Sequence, residues 1–280
     1  MQGKTVVITG ATSGIGEIAA IDLAKRGARI VFVARNPLRA DAMMTQLSIA
    51  NSGVKHAAHL GDLSRLSEMK RIAGEIAASE SKIDVLINNA GAVFGVRETT
   101  PDGLEMTFAT NHMAYFVVTN VLLDRLKATP GSRIVSTASD AHKSGKLNFD
   151  DLQSEKSYSS FRAYGTSKLC NILFTRELAR RLTGTGVTAN CLHPGFVATQ
   201  FGDNNDGLMG FVIGIAKKAV AITPENGAKT ITYLAASPEV AAKSGGYYFK
   251  NAPATPTAAA QNDADAKRLW DVSAKIAGVG

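Results

Sequence analysis

The sequence predicts an α/β fold: one domain built on a doubly wound, parallel seven-stranded sheet flanked by helices. Two observations carry that prediction. Short β-branched runs alternate with stretches of helical apolar spacing along most of the 280 residues. The strand runs are also nearly all apolar rather than alternating, which calls for a sheet buried on both faces. An apolar fraction of 45% and a charged fraction of 20% supply enough core material. No break in composition divides the chain, so residues 1–280 read as a single unit.

The expected strands are "KTVVIT" (4–9), "ARIVFVA" (28–34), "VKHAAHL" (54–60), "KIDVLIN" (82–88), "SRIVSTAS" (132–139), "VTANCLH" (187–193) and "GGYYFK" (245–250). Helical spacing falls near 14–26, 37–50, 64–79, 101–128, 160–183 and 224–237. Strand–helix–strand repetition of this kind gives parallel pairing with right-handed crossovers. The segment "NAPATPTAAAQ" (251–261) reads as a connector to a last helix ending near Ala277, so that 251–280 forms a C-terminal extension. Residues 200–222, with the apolar stretch 207–220, read as a lid.

Bulk chemistry removes several function classes. The net charge is +7 and the pI near 9.4, but the basic residues are scattered; the densest runs are Arg180-Arg181 and Lys217-Lys218. No nucleic-acid module accompanies them, and a basic chain binding a small polyanionic cofactor is the simpler reading. Cys170 and Cys191 lack metal-ligand spacing and are expected as buried free thiols in a reducing compartment. With no signal peptide at "MQGKTVVITG" and no apolar run of about 18 residues, a cytoplasmic chain without a transmembrane segment is expected.

The candidate chemistry lies at or just after the carboxyl ends of the strands, where such sheets bind ligands. "TGATSGIG" (9–16) follows the first strand and opens the first helix. Gly10 permits a tight turn, Gly14 and Gly16 permit close approach of a pyrophosphate, and free helix-start amides favour its charge. The second strand ends "VARN", presenting Arg35 where an acidic residue would hold the ribose of NAD. A guanidinium pairs with a 2′-phosphate, so NADP(H) is preferred over NAD(H), unless Arg35 merely ends a strand in solvent. Asp62 in "GDL" can accept from an adenine amino group, and "NNAG" (88–91) can tie loops together while leaving room at Ala90 and Gly91. Tyr164 and Lys168 stand four apart on one helix face, so an ammonium can soften a phenol toward working pH.

Taken together, "TGATSGIG", "DL", "NNAG", Asn111 in "TNHMAYF", Ser139 in "RIVSTAS", "YGTSK" and "HPGFVAT" resemble the short-chain dehydrogenase/reductase family. The resemblance implies a Rossmann fold and a tetrad of Asn111, Ser139, Tyr164 and Lys168. Tyr164 would pass a proton to or from the carbonyl oxygen as hydride moves, Ser139 would hydrogen-bond that oxygen, and Lys168 would also hold the nicotinamide ribose. Asn111 would position a water joining Lys168 to solvent, or else serve as a structural helix-kink residue. Ser136 is the other nearby hydroxyl, and strand alternation alone does not exclude it. The implied cofactor contacts are Gly10, Thr12, Ser13, Gly14, Ile15, Gly16, Arg35, Asn36, Asp62, Leu63, Asn89, Ala90, Gly91, Tyr164, Lys168, Pro194, Gly195, Val197 and Thr199.

The long Ser139–Tyr164 spacer and the ending "AAQNDADAKRLWDVSAKIAG" look most like the branch of retinol dehydrogenases, WW-domain oxidoreductases and light-dependent protochlorophyllide reductases. A lipophilic aldehyde, ketone or alcohol is the expected substrate, with Phe94, His142, Tyr158, Phe196 and 207–220 as pocket candidates. A protochlorophyllide reductase-like enzyme and a non-catalytic NADP(H) sensor are the alternatives. The resemblance also implies a homodimer or homotetramer formed through the helices near 101–128 and 160–183, with a monomer as the alternative.

Overall fold

The computed structural model describes residues 1–195 and 223–279. Among them, eight strands form one sheet: β1 (Thr5–Thr9), β2 (Arg29–Ala34), β3 (Ala57–Leu60), β4 (Val85–Asn88), β5 (Arg133–Thr137), β6 (Thr188–Leu192), β7 (Tyr247–Phe249) and β8 (Ala252–Pro253). Their order is β3-β2-β1-β4-β5-β6-β7-β8, with every neighbouring pair parallel except β7–β8. The strand sequence reverses direction across the sheet between β1 and β4. Loops leaving these two strands therefore diverge and open a crevice at their carboxyl ends.

The eighth strand is an addition to the seven expected, and it lies within the predicted connector. Lys250 and Asn251 both adopt left-handed backbone, with φ of 50° and 63°, and fold the chain back on β7. Two such residues in succession make the turn that joins antiparallel strands most tightly. Pro253 has no N–H to offer, which suits the sheet edge.

The helices are α1 (Gly14–Lys25), α2 (Pro37–Ala50), α3 (Leu66–Ser79), α4 (Ala114–Lys127), α5 (Ser160–Arg181), α6 (Pro224–Ala236) and α7 (Asp263–Ala277). The expected helix over 101–128 is shorter at its start. Gly103 takes a φ of 78° in a turn, and Glu105 then caps a helical turn, Met106–Phe108, by accepting from the N–H groups of Thr107 and Phe108, both at 2.8 Å. Ala109–Met113 is wound as a π-helix that leads into α4.

Strand side chains alternate between two buried layers. Val7, Val31, Leu86, Ile134 and Cys191 face a core completed by α3, α4, α5 and α7. Val6, Ile8, Phe32, Ile87 and Val135 face a second core completed by α1, α2 and α6. Each cysteine thiol is free and buried, and burial pushes both up to about 12. Among the described residues no helix is long and apolar enough to cross a membrane.

Candidate active site

The turn between β1 and α1 is shaped for close approach. Gly10 has a φ of 70°, and a Cβ there would meet the Ala90 backbone at 2.8 Å. A Cβ on Gly16 would collide with the Gly10 carbonyl and the Asn89 amide, so neither glycine has a substitute without moving backbone. Gly14 also has positive φ, at 59°. Ser13 stands at the cap position of α1, but its hydroxyl makes no capping bond. Thr12, Ser13 and Ile15 are at least partly exposed around this helix start, and its amides are available to an anion.

Asn89 ties three strand ends together. Its Nδ2 donates to the Gly10 carbonyl (3.1 Å), its Oδ1 accepts from Thr137 Oγ1 (3.2 Å), and its backbone N–H donates to Thr9 Oγ1 (3.0 Å). Ala90 N–H shares that Thr9 oxygen at 3.1 Å. Asn88 points into the core instead, donating to Thr119 Oγ1 at 2.9 Å. Loop tying thus falls mainly to the second asparagine of the pair.

Lys168 is buried on α5, and its Nζ donates to the Thr137 carbonyl at 3.2 Å. The same carbonyl accepts from Asn171 Nδ2 and from the Tyr115 hydroxyl, each at 3.4 Å. A Cβ on Gly91 would touch Lys168 Nζ at 3.3 Å, so this glycine leaves room for the amine. Nζ lies 5.5 Å from the Tyr164 ring centre and 5.8 Å from that of Tyr115. Tyr115, Thr137 and Asn171 were not among the expected site residues. Asn171 had a signal: Tyr164, Lys168 and Asn171 stand at i, i+4 and i+7, one stripe of the helix. A backbone carbonyl such as that of Thr137 leaves no such trace.

Charge in this cluster differs from the expectation. Burial pushes the Tyr164 phenol up to about 12, and a hydrogen bond from Ser139 opposes that rise. Burial lowers the Lys168 amine to about 7. Loss of solvent therefore dominates both groups in the chain alone, and the expected softening of the phenol by a lysine charge does not emerge.

Ser139 Oγ accepts from the Ala141 N–H at 3.2 Å, which leaves its own proton free to donate toward Tyr164. Ser136 settles the other way. It sits inside β5 between Asn88 and Cys191, fully buried, and its hydroxyl finds no partner among the described residues. Asn111 is fully buried in the π-helical segment, and its side chain is committed. Oδ1 accepts from Ala92 N–H (2.8 Å), while Nδ2 donates to the Ala92 carbonyl (2.9 Å) and Ser167 Oγ (3.0 Å). Its side chain braces the loop after β4, with Oδ1, like Lys168 Nζ, 3.3 Å from where a Gly91 Cβ would stand.

The remaining candidates divide. Arg35 is exposed at the end of β2, and Arg39 is exposed beside it. Among the described residues no carboxylate forms an ion pair with either. Asn36 caps α2, accepting from Arg39 N–H at 3.2 Å. Asp62 Oδ1 accepts from Ser64 N–H at 3.0 Å, and Leu63 is buried. Pro194 and the left-handed Gly195 (φ 87°) follow β6, while Phe196, Val197, Thr199 and the expected lid at 200–222 lie outside the described residues. Tyr158 donates to the Phe94 carbonyl at 2.8 Å and so clamps the loop after β4. His142 is buried and hydrogen-bonded at both ring nitrogens, which makes it a structural link rather than an open pocket wall.

The glycine cradle and the uncapped helix start fit the pyrophosphate of a dinucleotide. Comparisons with known proteins agree with that geometry. The family model described as short chain dehydrogenase matches residues 4–207. Human retinol dehydrogenase 14 is 41% identical, the alignment covering all of this chain and 88% of the relative. Human retinol dehydrogenase 13 is 40% identical over all of this chain and 86% of its own length. A solved structure of an uncharacterised protein from Mycobacterium paratuberculosis superposes with a TM-score of 0.79 at 31% identity, covering 99% of this chain and 94% of that one. A structure from Beutenbergia cavernae, provisionally assigned as an NAD(P)-dependent gluconate 5-dehydrogenase and solved with NADP at low occupancy, gives 0.69 at 28% identity over 88% of this chain and 94% of that one. Sequence pattern, relatives and fold thus converge: the chain belongs to the short-chain dehydrogenase family and is an oxidoreductase acting on CH–OH groups.

Proposed function

We propose that the chain is an NADP(H)-dependent oxidoreductase that interconverts a lipophilic aldehyde or ketone and its alcohol. The carrying observation is the convergence of Tyr164, Ser139, Lys168 and Gly91 at the carboxyl ends of β4 and β5. Gly10, Gly14 and Gly16 with the α1 amides would hold the pyrophosphate, Arg35 the 2′-phosphate, and Asp62 the adenine. The bound nicotinamide supplies or accepts the hydride. At neutral pH the high Tyr164 pKa keeps the proton on its Oη, the state needed to protonate a carbonyl oxygen during reduction. Ser139 donates to the same oxygen and shares the charge that develops there. Lys168, lowered to about 7, can restore the Tyr164 proton after each turnover. Asn111 supports these groups through Ala92 and Ser167, whose hydroxyl donates to the Tyr164 carbonyl at 2.7 Å.

Lipophilicity is supported by exposed Phe161, three residues before Tyr164 on α5, and by exposed Val96 in the loop after β4. The retinol dehydrogenase relatives support the same substrate class. The test is NADPH and NADH oxidation against a panel of long-chain, aromatic and sugar carbonyls, with Tyr164→Phe alongside. We expect apolar carbonyls and NADPH to be preferred, with turnover reduced by about 10²-fold or more in the variant. Equal rates for the two proteins would instead favour a non-catalytic NADP(H)-binding role.

A further inference from the structure

We infer that His142 is a positioning residue for Ser139, a buried strut between the serine's backbone and the C-terminal segment. The inference rests on the proposed role of Ser139 as a hydrogen-bond donor to the substrate oxygen. His142 lies in the helical turn Asp140–Ser144 and is 1% exposed. Its Nδ1 is 2.7 Å from the Ser139 carbonyl, which also accepts the His142 backbone N–H at 3.1 Å. Its Nε2 is 3.2 Å from the backbone N–H of Thr257, 115 residues further along the chain. A carbonyl can only accept and an N–H can only donate. The ring must therefore carry its proton on Nδ1 and a lone pair on Nε2. No other arrangement of a neutral ring satisfies both neighbours.

The strut fixes the serine from behind. Ser139 has extended backbone and caps the turn through its own Oγ, so its hydroxyl direction depends on where that turn sits. His142 sets the turn against the residues following β8. The ring packs edge-on against Tyr247 of β7, with centres 5.4 Å apart. Beyond it, His193 stacks on Phe249 at 4.0 Å, so the strut is bedded in an aromatic wall at the ends of β6 and β7.

Protonation would break the strut. An imidazolium carries N–H on both nitrogens, and the Nε2 proton would face the Thr257 N–H. The charged neighbours are Asp140, which favours the imidazolium, and Lys143 and His193, which oppose it; Tyr247 adds a neutral ring. Burial is the largest influence and moves His142 below its ordinary value, so the neutral strut prevails at neutral pH. Carbonyl reduction should then lose rate on acidification, a limb that Tyr164 cannot produce because its proton is already in place.

The experiment compares wild type, His142→Gln, His142→Leu and Ser139→Ala in NADPH-dependent carbonyl reduction across pH. Glutamine offers one N–H donor and one carbonyl acceptor, so it can span both neighbours without titrating. His142→Leu is expected to lower kcat on the order of tenfold through misplacement of the serine, with KM for NADPH unchanged. His142→Gln should recover most of that loss and lack the acid limb. An undiminished kcat in His142→Leu, or an acid limb retained in His142→Gln, overturns the inference; the glutamine profile decides even where the leucine variant does not fold. Nitrogen-15 spectra of the wild type provide a second reading, and a ring protonated on Nε2 at neutral pH overturns it as well. Ser139→Ala keeps the two ideas apart, since full activity there sinks the role of the serine itself.

Discussion

Lys168 has to be buried to lie beside Tyr164, yet it has to carry a proton to be of use there. Burial resolves the conflict by lowering the amine to about 7. The charged form is present below that pH and is lost above it. Reduction that depends on Lys168 for proton supply is therefore expected to fall as pH rises through about 7, whereas oxidation of the alcohol should gain. Lys168→Arg keeps its charge far above this range, so the alkaline limb should move up by at least two pH units, whatever happens to the absolute rate. A limb that stays near 7 in the variant would assign the ionisation to another group. At this scale the sequence was informative where the proposed site uses a side-chain type at a helical interval: Tyr164 and Lys168, four apart, do lie side by side. It was silent about Thr137, whose contribution is a peptide carbonyl that any residue could supply. Choosing between Ser136 and Ser139 needed the end of β5. Three residues separate a hydroxyl sealed in the sheet from one at the crevice.

The junction of β2 and α2 shows how element ends place charge. β2 stops at Ala34, whose carbonyl accepts from Gly61 N–H at 3.0 Å, and α2 starts at Pro37 under the Asn36 cap. Arg35 is held between those stops, and Arg39 lies in the first turn beyond them. We expect Arg35→Ala to weaken NADPH binding by about 10-fold to 100-fold, the range of one charge-assisted hydrogen bond. NADH binding should stay within about twofold, because that cofactor has no 2′-phosphate. Titration of both cofactors against both proteins checks it, and an equal loss for NADH would refute the assignment. Such junctions were legible because strand and helix periods differ; α2 occupies the expected 37–50 span. Elements with no period to read escaped: β8 has two residues, and the π-helical winding at Ala109–Met113 retains an ordinary helical apolar pattern.

Across the whole molecule, the last helix underpins the site from the far side of α5. Trp270 of α7 stacks on Phe174 of α5, with centres 5.8 Å apart and planes 12° from parallel, and meets Phe116 of α4 edge-on at 4.9 Å. The Arg181 guanidinium covers the indole at 4.4 Å. His112, next to Asn111 in the π-helical segment, is 2.8 Å from Ser273 Oγ, and Arg176 pairs with Asp263 at 3.0 Å. α7 thus rests, within one chain, on the helix pair that the family resemblance offers for assembly with a second copy. The indole closes the core around both helices, so its removal leaves a cavity that the aromatic neighbours cannot fill without shifting. Trp270→Ala is expected to cost about 3–5 kcal/mol, read from the midpoint of denaturant unfolding, while Trp270→Phe should recover much of it by keeping a ring against Phe174. Tyr164 and Lys168 lie ten and six residues before Phe174 on α5, nearer the helix start than the stacked rings, so NADPH binding by folded Trp270→Ala should stay close to wild type. A loss below about 1 kcal/mol would mean that α7 sits on a core already complete without it.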